Sequence, residues 1–202
     1  MLSHVFTTPI LRERTDLSPA QLAELCEYLL ALRDRSPGED KSNCGGWHSS
    51  GNLFTPEHQQ FDFLREAITR ALFAFVGEAF GYSGELEIAI TGWAVVNGVG
   101  HFNAPHDHAA NLLSGALYIA IPDSMRGGAI VFQDPRLNLA AYQTEGMRRL
   151  KIKPPWCRTT ISVVPAVGEV LVFPSWLMHF VEPFQCDDPE AVRIVVSFNA
   201  SA

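Results

Sequence analysis

The sequence predicts an α+β fold: a jelly roll of short antiparallel strands closing into a small cupin-like barrel, with N-terminal helices packed on one face. Three observations point there. Two helical apolar patterns occupy much of residues 18–80, and from Glu85 the pattern changes to short, alternating, β-branched runs. The helices precede the strands instead of alternating with them, which argues against a parallel sheet. A single domain over 1–202 is expected, with 1–84 as mostly helical support and 85–202 as the jelly-roll core.

Residues 1–17 hold alternating segments and Pro9, consistent with a short strand feeding a turn. Ser18 before Pro19 reads as a helix N-cap followed by proline at the first helical position. Leu22, Leu25, Leu29, Leu30 and Leu32 then recur at near-helical spacing, and the helix should end before Pro37-Gly38. Residues 36–52, SPGEDKSNCGGWHSSGN, are loop by composition. Trp47 inside that polar stretch has two readings, an aromatic lid on the core or a wall of a binding cleft.

A second helix from about Pro56 to Phe80 carries Phe61, Leu64, Ile68, Leu72, Phe75, Val76 and Phe80 as one apolar stripe suited to a sheet face. The runs ELEIAITGWAVVNGVG, HFNAPHDH, SGALYIAIP, GGAIVFQDP, TTISVVPAV, GEVLVFP, HFVEPF and AVRIVVSFNA, bounded by Pro, Gly, Asp and Asn, read as about eight strands. Residues 136–158 break the pattern as a long insertion, the kind of loop that forms lids or touches substrate.

Net charge is −7, from 15 basic and 22 acidic residues, with no basic stripe, so neither nucleic acid nor an anionic membrane is an expected partner. No apolar run reaches the roughly 20 residues of a membrane-spanning helix, and the first residues lack the apolar core of a signal peptide. Cys26, Cys44, Cys157 and Cys186 are far apart with no C-x-x-C pair, which disfavours a zinc knuckle and suits a reducing cytoplasm.

The chemistry concentrates in GHFNAPHDHAANLLSGALY, 100–118, and GEVLVFPSWLMH, 168–179. On a strand, His106 and His108 would project to one face, and the fold could bring His179 to them as a third imidazole. Asp107 is the substitute for His108 if the local backbone is not a regular strand. Three imidazoles suit Fe, Zn, Cu or Ni, so the ligand types alone do not select the metal. Asn97 and Asn103 flank the pair, either as substrate contacts or as turn residues. His4, His48, His58 and His101 read by default as surface histidines, and no catalytic side chain is expected beyond the metal site.

Parts of these segments resemble the cupin motifs. Gly100 stands six positions before His106, and Gly168, Pro174 and His179 keep a G-x5-P-x4-H spacing. The cupin glutamate is missing after His108, however, and Trp176 stands where glycine is expected. The fuller resemblance is to the 2-oxoglutarate- and Fe(II)-dependent oxygenases that carry H-x-H-x(5)-SG-x-x-Y, GG-x-x-x-F-x-DPR, FPSWL-x-H-x-VEP and R-x-x-x-SFN. This chain has HDHAANLLSGALY at 106–118, GGAIVFQDPR at 127–136, FPSWLMHFVEP at 173–183 and RIVVSFN at 193–199. The likeness runs from about Trp47 to Asn199.

That resemblance implies a double-stranded β-helix, a metal held by His106, His108 and His179, and 2-oxoglutarate as co-substrate. It also implies O2-dependent hydroxylation of an unidentified small-molecule or peptide substrate, with succinate and CO2 formed. Arg193 is costly to bury among β-branched residues unless its guanidinium meets an anion. By resemblance that anion is the far carboxylate of 2-oxoglutarate, with Ser197 as a supporting donor; the other reading is an ion pair with an Asp or Glu of the insertion. Tyr118 has two readings, a further donor at this site or a buried ring that packs and bonds the backbone. Two rival functions stay open on the residues alone: a three-histidine cupin-type dioxygenase that does not use 2-oxoglutarate, and a non-catalytic metal-binding jelly-roll module.

Overall fold

The computed structural model describes residues 5–136, 144–151 and 158–201. Helix α1 (Pro19–Arg35) opens on a reciprocal cap, in which Ser18 Oγ accepts the Gln21 N–H and Gln21 Oε1 accepts the Ser18 N–H. Helix α2 (Asp62–Phe80) starts later than its apolar stripe suggests. A 3-10 turn over Pro56–Phe61 precedes it, and the backbone of His58 (φ −118°, ψ 23°) interrupts helical geometry there. Gly81 ends α2 in the left-handed region at φ 65°. Leu64, Ile68, Leu72, Phe75 and Val76 of the stripe are buried, whereas Phe80 in the last turn is about half exposed.

Thirteen strands follow the chain among the described residues: β1 (Leu11–Arg14), β2 (Asn43–Cys44), β3 (Trp47–His48), β4 (Ala89–Gly98), β5 (Phe102–His106), β6 (Leu113–Ala120), β7 (Arg126–Gly127), β8 (Ile130–Gln133), β9 (Thr160–Val163), β10 (Glu169–Pro174), β11 (His179–Val181), β12 (Phe184–Gln185) and β13 (Val192–Ser201). A six-stranded sheet runs β1-β10-β6-β13-β4-β3 and a five-stranded sheet runs β2-β5-β11-β8-β9; β12 and β7 form a separate ribbon. This is the double-stranded β-helix arrangement, with one correction to the expected closed barrel. The sheets keep free edges at β1 and β3, and at β2 and β9, so the space between them stays open at the rim. Three of the strands, β1, β2 and β3, come from the segment before residue 85, which therefore contributes to both sheets as well as to the helical layer.

The period of two along the strands divides the six-stranded sheet into two faces. Leu113, Leu117, Ala94, Val96, Val170, Val172, Ile194, Val196 and Phe198 pack in one buried cluster with residues of α1 and α2. The alternate residues Ala116, Tyr118, Leu171, Phe173 and Val195 pack in a second cluster with Ile130 and Phe132 of the five-stranded sheet. Gly115 lies where the first face is tightest. A Cβ there would clash with the Phe198 ring and the Leu171 carbonyl, so the small residue lets β6, β10 and β13 lie close together. Part of the expected insertion at 136–158 falls outside the described residues; the described part includes a short helix α3 (Glu145–Arg149).

Candidate active site

β5 and β11 bring two of the histidines together directly, since His106 and His179 are paired across the two strands. His108 lies two residues beyond the end of β5, outside the ladder. Its N–H donates to Ser175 O (2.8 Å) and its carbonyl accepts the Asn111 N–H (2.9 Å), which ties the turn to the segment preceding His179. Ring centroids are 4.9 Å apart for His106 and His108, 4.4 Å for His106 and His179, and 5.4 Å for His108 and His179. One ligating atom from each lies within 4.8 Å of the others, close enough for a shared ion. Asp107 is exposed and accepts the Ala109 N–H (3.2 Å); it is not one of the grouped ligating residues, although its charge acts on both His108 and His179.

The tautomers follow from the neighbours. His106 Nδ1 lies 2.7 Å from Ala104 O and His179 Nδ1 lies 2.8 Å from Leu177 O. A carbonyl only accepts, so both Nδ1 atoms carry the proton and both Nε2 atoms keep a lone pair for a metal. Burial pushes the pKa of His108 down to about 4, with His106 adding to the effect. His179 is likewise lowered to about 4 by burial, against the opposing bond to Leu177 O. Both rings are therefore neutral at physiological pH, the state a metal ligand requires.

The histidines open on a cavity of about 640 Å³ between the two sheets, whose lining includes Trp93, Asn103, Tyr118, Arg193, Ser197 and His48. Arg193 is 2 % exposed. Its Nη1 donates to Gly128 O (2.7 Å), its Nε has no partner, and it forms no ion pair among the described residues. A buried guanidinium held by one carbonyl fits a site built for an anion. Burial lowers its pKa, an effect partly offset by Tyr118, yet a guanidinium stays protonated in proteins. Tyr118, paired with Val195 across β6 and β13, has its pKa pushed up to about 12 by burial and keeps its phenolic proton as a donor.

Ser197 also lines the cavity, but it lies four residues along β13 from Arg193, roughly 13 Å at strand spacing. Asn103 lines the cavity, while Asn97 is buried behind it and donates to Asn103 Oδ1 (3.1 Å). Trp47 is not on the cavity. Its indole N–H donates to Ser36 O (2.9 Å) and its ring packs on the helix-side cluster. Two rings on the cavity were missed by sequence reasoning: Trp93, and His48, which stacks on it and is buried where a surface position was expected. Of the other histidines, His101 accepts the Gly98 N–H within a turn and His58 bonds Tyr28, while His4 lies outside the described residues.

Two facing antiparallel sheets with a three-histidine cluster and a buried arginine between them define a metal-centred enzyme of the double-stranded β-helix class. The chain belongs to the 2OG-Fe(II) oxygenase family, whose profile matches residues 91–199. It is an oxidoreductase that uses Fe(II) and 2-oxoglutarate, and this separates it from a cupin-type dioxygenase and from a non-catalytic module. No curated protein matches it by sequence.

Among solved structures, a prolyl-4-hydroxylase from Pseudomonas putida superposes with a TM-score of 0.61 at 15 % identity, covering 96 % of this chain and 93 % of that one. A Trichoplax adhaerens prolyl hydroxylase, in complex with a peptide fragment of the hypoxia inducible factor oxygen degradation domain, gives 0.64 at 12 % identity, covering 95 % and 83 %. HygX from Streptomyces hygroscopicus, with nickel and 2-oxoglutarate bound, gives 0.61 at 15 % identity, covering 96 % and 83 %. At these identities the likeness is one of fold.

Proposed function

We propose that His106, His108 and His179 hold the iron, and that Arg193, with Tyr118 beside it, takes the far carboxylate of 2-oxoglutarate. The observation that carries this reading is Arg193: a buried cation with a single carbonyl partner, opening on the same cavity as the histidine cluster. Arginine's planar fork matches a carboxylate in a way a lysine would not. Three neutral imidazoles leave the charge of a divalent ion uncancelled, which favours an anionic co-substrate at the open positions. Bound iron supplies, with 2-oxoglutarate and O2, the oxidant for hydroxylation of a C–H bond, with succinate and CO2 released.

The protein's own contributions are binding, orientation and exclusion of water. Backbone carbonyls fix the rings of His106 and His179, and Val95, Ile130, Phe173, Val181 and Val195 supply apolar wall around them. Asn103 and the Trp93 end of the cavity are left for a small-molecule or peptide substrate. The net charge of −7 supports a substrate other than nucleic acid, and the free thiols of Cys26, Cys44 and Cys186 are compatible with a cytoplasmic setting. Titration of 2-oxoglutarate into nickel-loaded protein tests the assignment. Saturable uptake of one equivalent that requires the metal and is lost in Arg193→Met supports it; metal-independent uptake, or none, overturns it.

A further inference from the structure

We infer that His48 is a substrate-recognition residue whose Nε2 accepts a hydrogen bond from an O–H or N–H of the substrate, with the apolar part of that substrate lying on Trp93. The inference rests on the cavity reading under Proposed function and extends it to the substrate. His48 belongs to β3, the two-residue edge strand that pairs with β4, and is opposite Val95. It is 9 % exposed. Its Nδ1 meets Ser49 O at 2.8 Å, so that nitrogen carries the proton and Nε2 keeps the lone pair. Nε2 has no hydrogen-bond partner among the described residues, and the ring lines the cavity. Nδ1 is anchored to the backbone, whereas Nε2 is left without a protein partner among the described residues, on a ring that forms part of the wall where substrate must lie.

The wall it belongs to leads to the metal ligands. His48 stacks on Trp93 with centroids 5.6 Å apart and an interplanar angle of 15°, and Trp93 lies 5.7 Å from His108. Among the described residues no Asp or Glu lines the cavity; of its two cations, Lys41 is paired with Glu39 (3.1 Å) and Arg193 is the proposed partner of the 2-oxoglutarate carboxylate. What this wall offers is a neutral acceptor beside an aromatic ring, which suits a substrate carrying an O–H or N–H donor next to an apolar group. His48 also precedes residues 91–199, the part matched by the family profile, so this selectivity element belongs to the segment outside it.

The test uses the full chain loaded with Zn(II) and 2-oxoglutarate, and reads the binding of two aromatic fragments by saturation-transfer NMR. Benzamide has N–H donors and methyl benzoate has none. The expected result is benzamide binding at least about fivefold tighter than methyl benzoate, the size of one hydrogen bond. His48→Leu should bring benzamide down to the level of the ester, and His48→Gln, which keeps an acceptor oxygen, should restore part of the difference. The inference is overturned if amide and ester bind alike, if neither binds, or if both variants match the unsubstituted protein. Calorimetry with Zn(II) and 2-oxoglutarate on the same samples shows whether each variant is folded and loaded. Absence of 2-oxoglutarate uptake by the unsubstituted protein would instead count against the co-substrate site.

Discussion

His106 and His179 face each other as direct partners across β5 and β11, so two ligands of the proposed iron site are set by one strand pairing. His108 joins them from outside the ladder, through its bond to Ser175 O. Replacing His179 by Ala should abolish metal uptake and metal-dependent succinate formation together, and His108→Ala should weaken both by at least an order of magnitude. Asp107→Asn should leave metal content near normal, because its carboxylate caps the Ala109 N–H. Metal analysis of the purified variants checks all three.

Arg193→Met should weaken 2-oxoglutarate binding by about 30- to 1000-fold, corresponding to roughly 2–4 kcal/mol for loss of a buried charged partner, with metal affinity in the absence of 2-oxoglutarate little changed. The same substitution should leave the Tm of the ligand-free protein equal or higher, since it removes a buried cation with one hydrogen bond and adds apolar packing. Calorimetry and thermal melts of one variant separate these two effects.

Gly115→Ala should lower stability by about 1–3 kcal/mol, the usual range for overpacking. The added methyl group meets the Phe198 ring and the Leu171 carbonyl, and neither can withdraw without moving β13 or β10. A fall in the denaturant midpoint with an unchanged slope is the expected signature.

The metal-free protein should lose stability as pH falls from about 6.5 toward 4. In the folded state His108 and His179 are lowered to about 4, chiefly by burial, whereas the unfolded chain titrates near the ordinary histidine value. Between those limits the unfolded state binds more protons, so stability is fully present above the unfolded value and declines through the window. Denaturant midpoints of chelator-treated protein at pH 7, 5.5 and 4.5 should fall in that order, and His179→Gln should reduce the slope.

Much of the site was readable because its residues contradict their surroundings. His106, His108 and His179 are polar residues in segments otherwise built for strands, and Arg193 is a cation amid β-branched neighbours. The structure groups the histidines by a different local route from the expected one, since His108 lies beyond β5 and is held by a loop contact instead of strand alternation. The free sheet edges were not legible, because strand patterns do not reveal whether the last strands meet. Nor was the choice between Trp47 and His48. A strand of two residues has no period to read, and the pairing of Trp47 with Val96 and His48 with Val95 sends the aromatic residue toward the helices and the imidazole into the cavity. Trp93 was hidden for a related reason: alternation along β4 was plain, but which phase faced inward was not.

The brevity of β3 has an evolutionary consequence. Inserting one residue in the loop before it would slide the strand by one step and turn each side chain to the opposite face, presenting indole where imidazole now stands. Such a slip leaves every proposed iron and co-substrate contact in place, so descendants of this scaffold could acquire new preferences by loop-length drift alone.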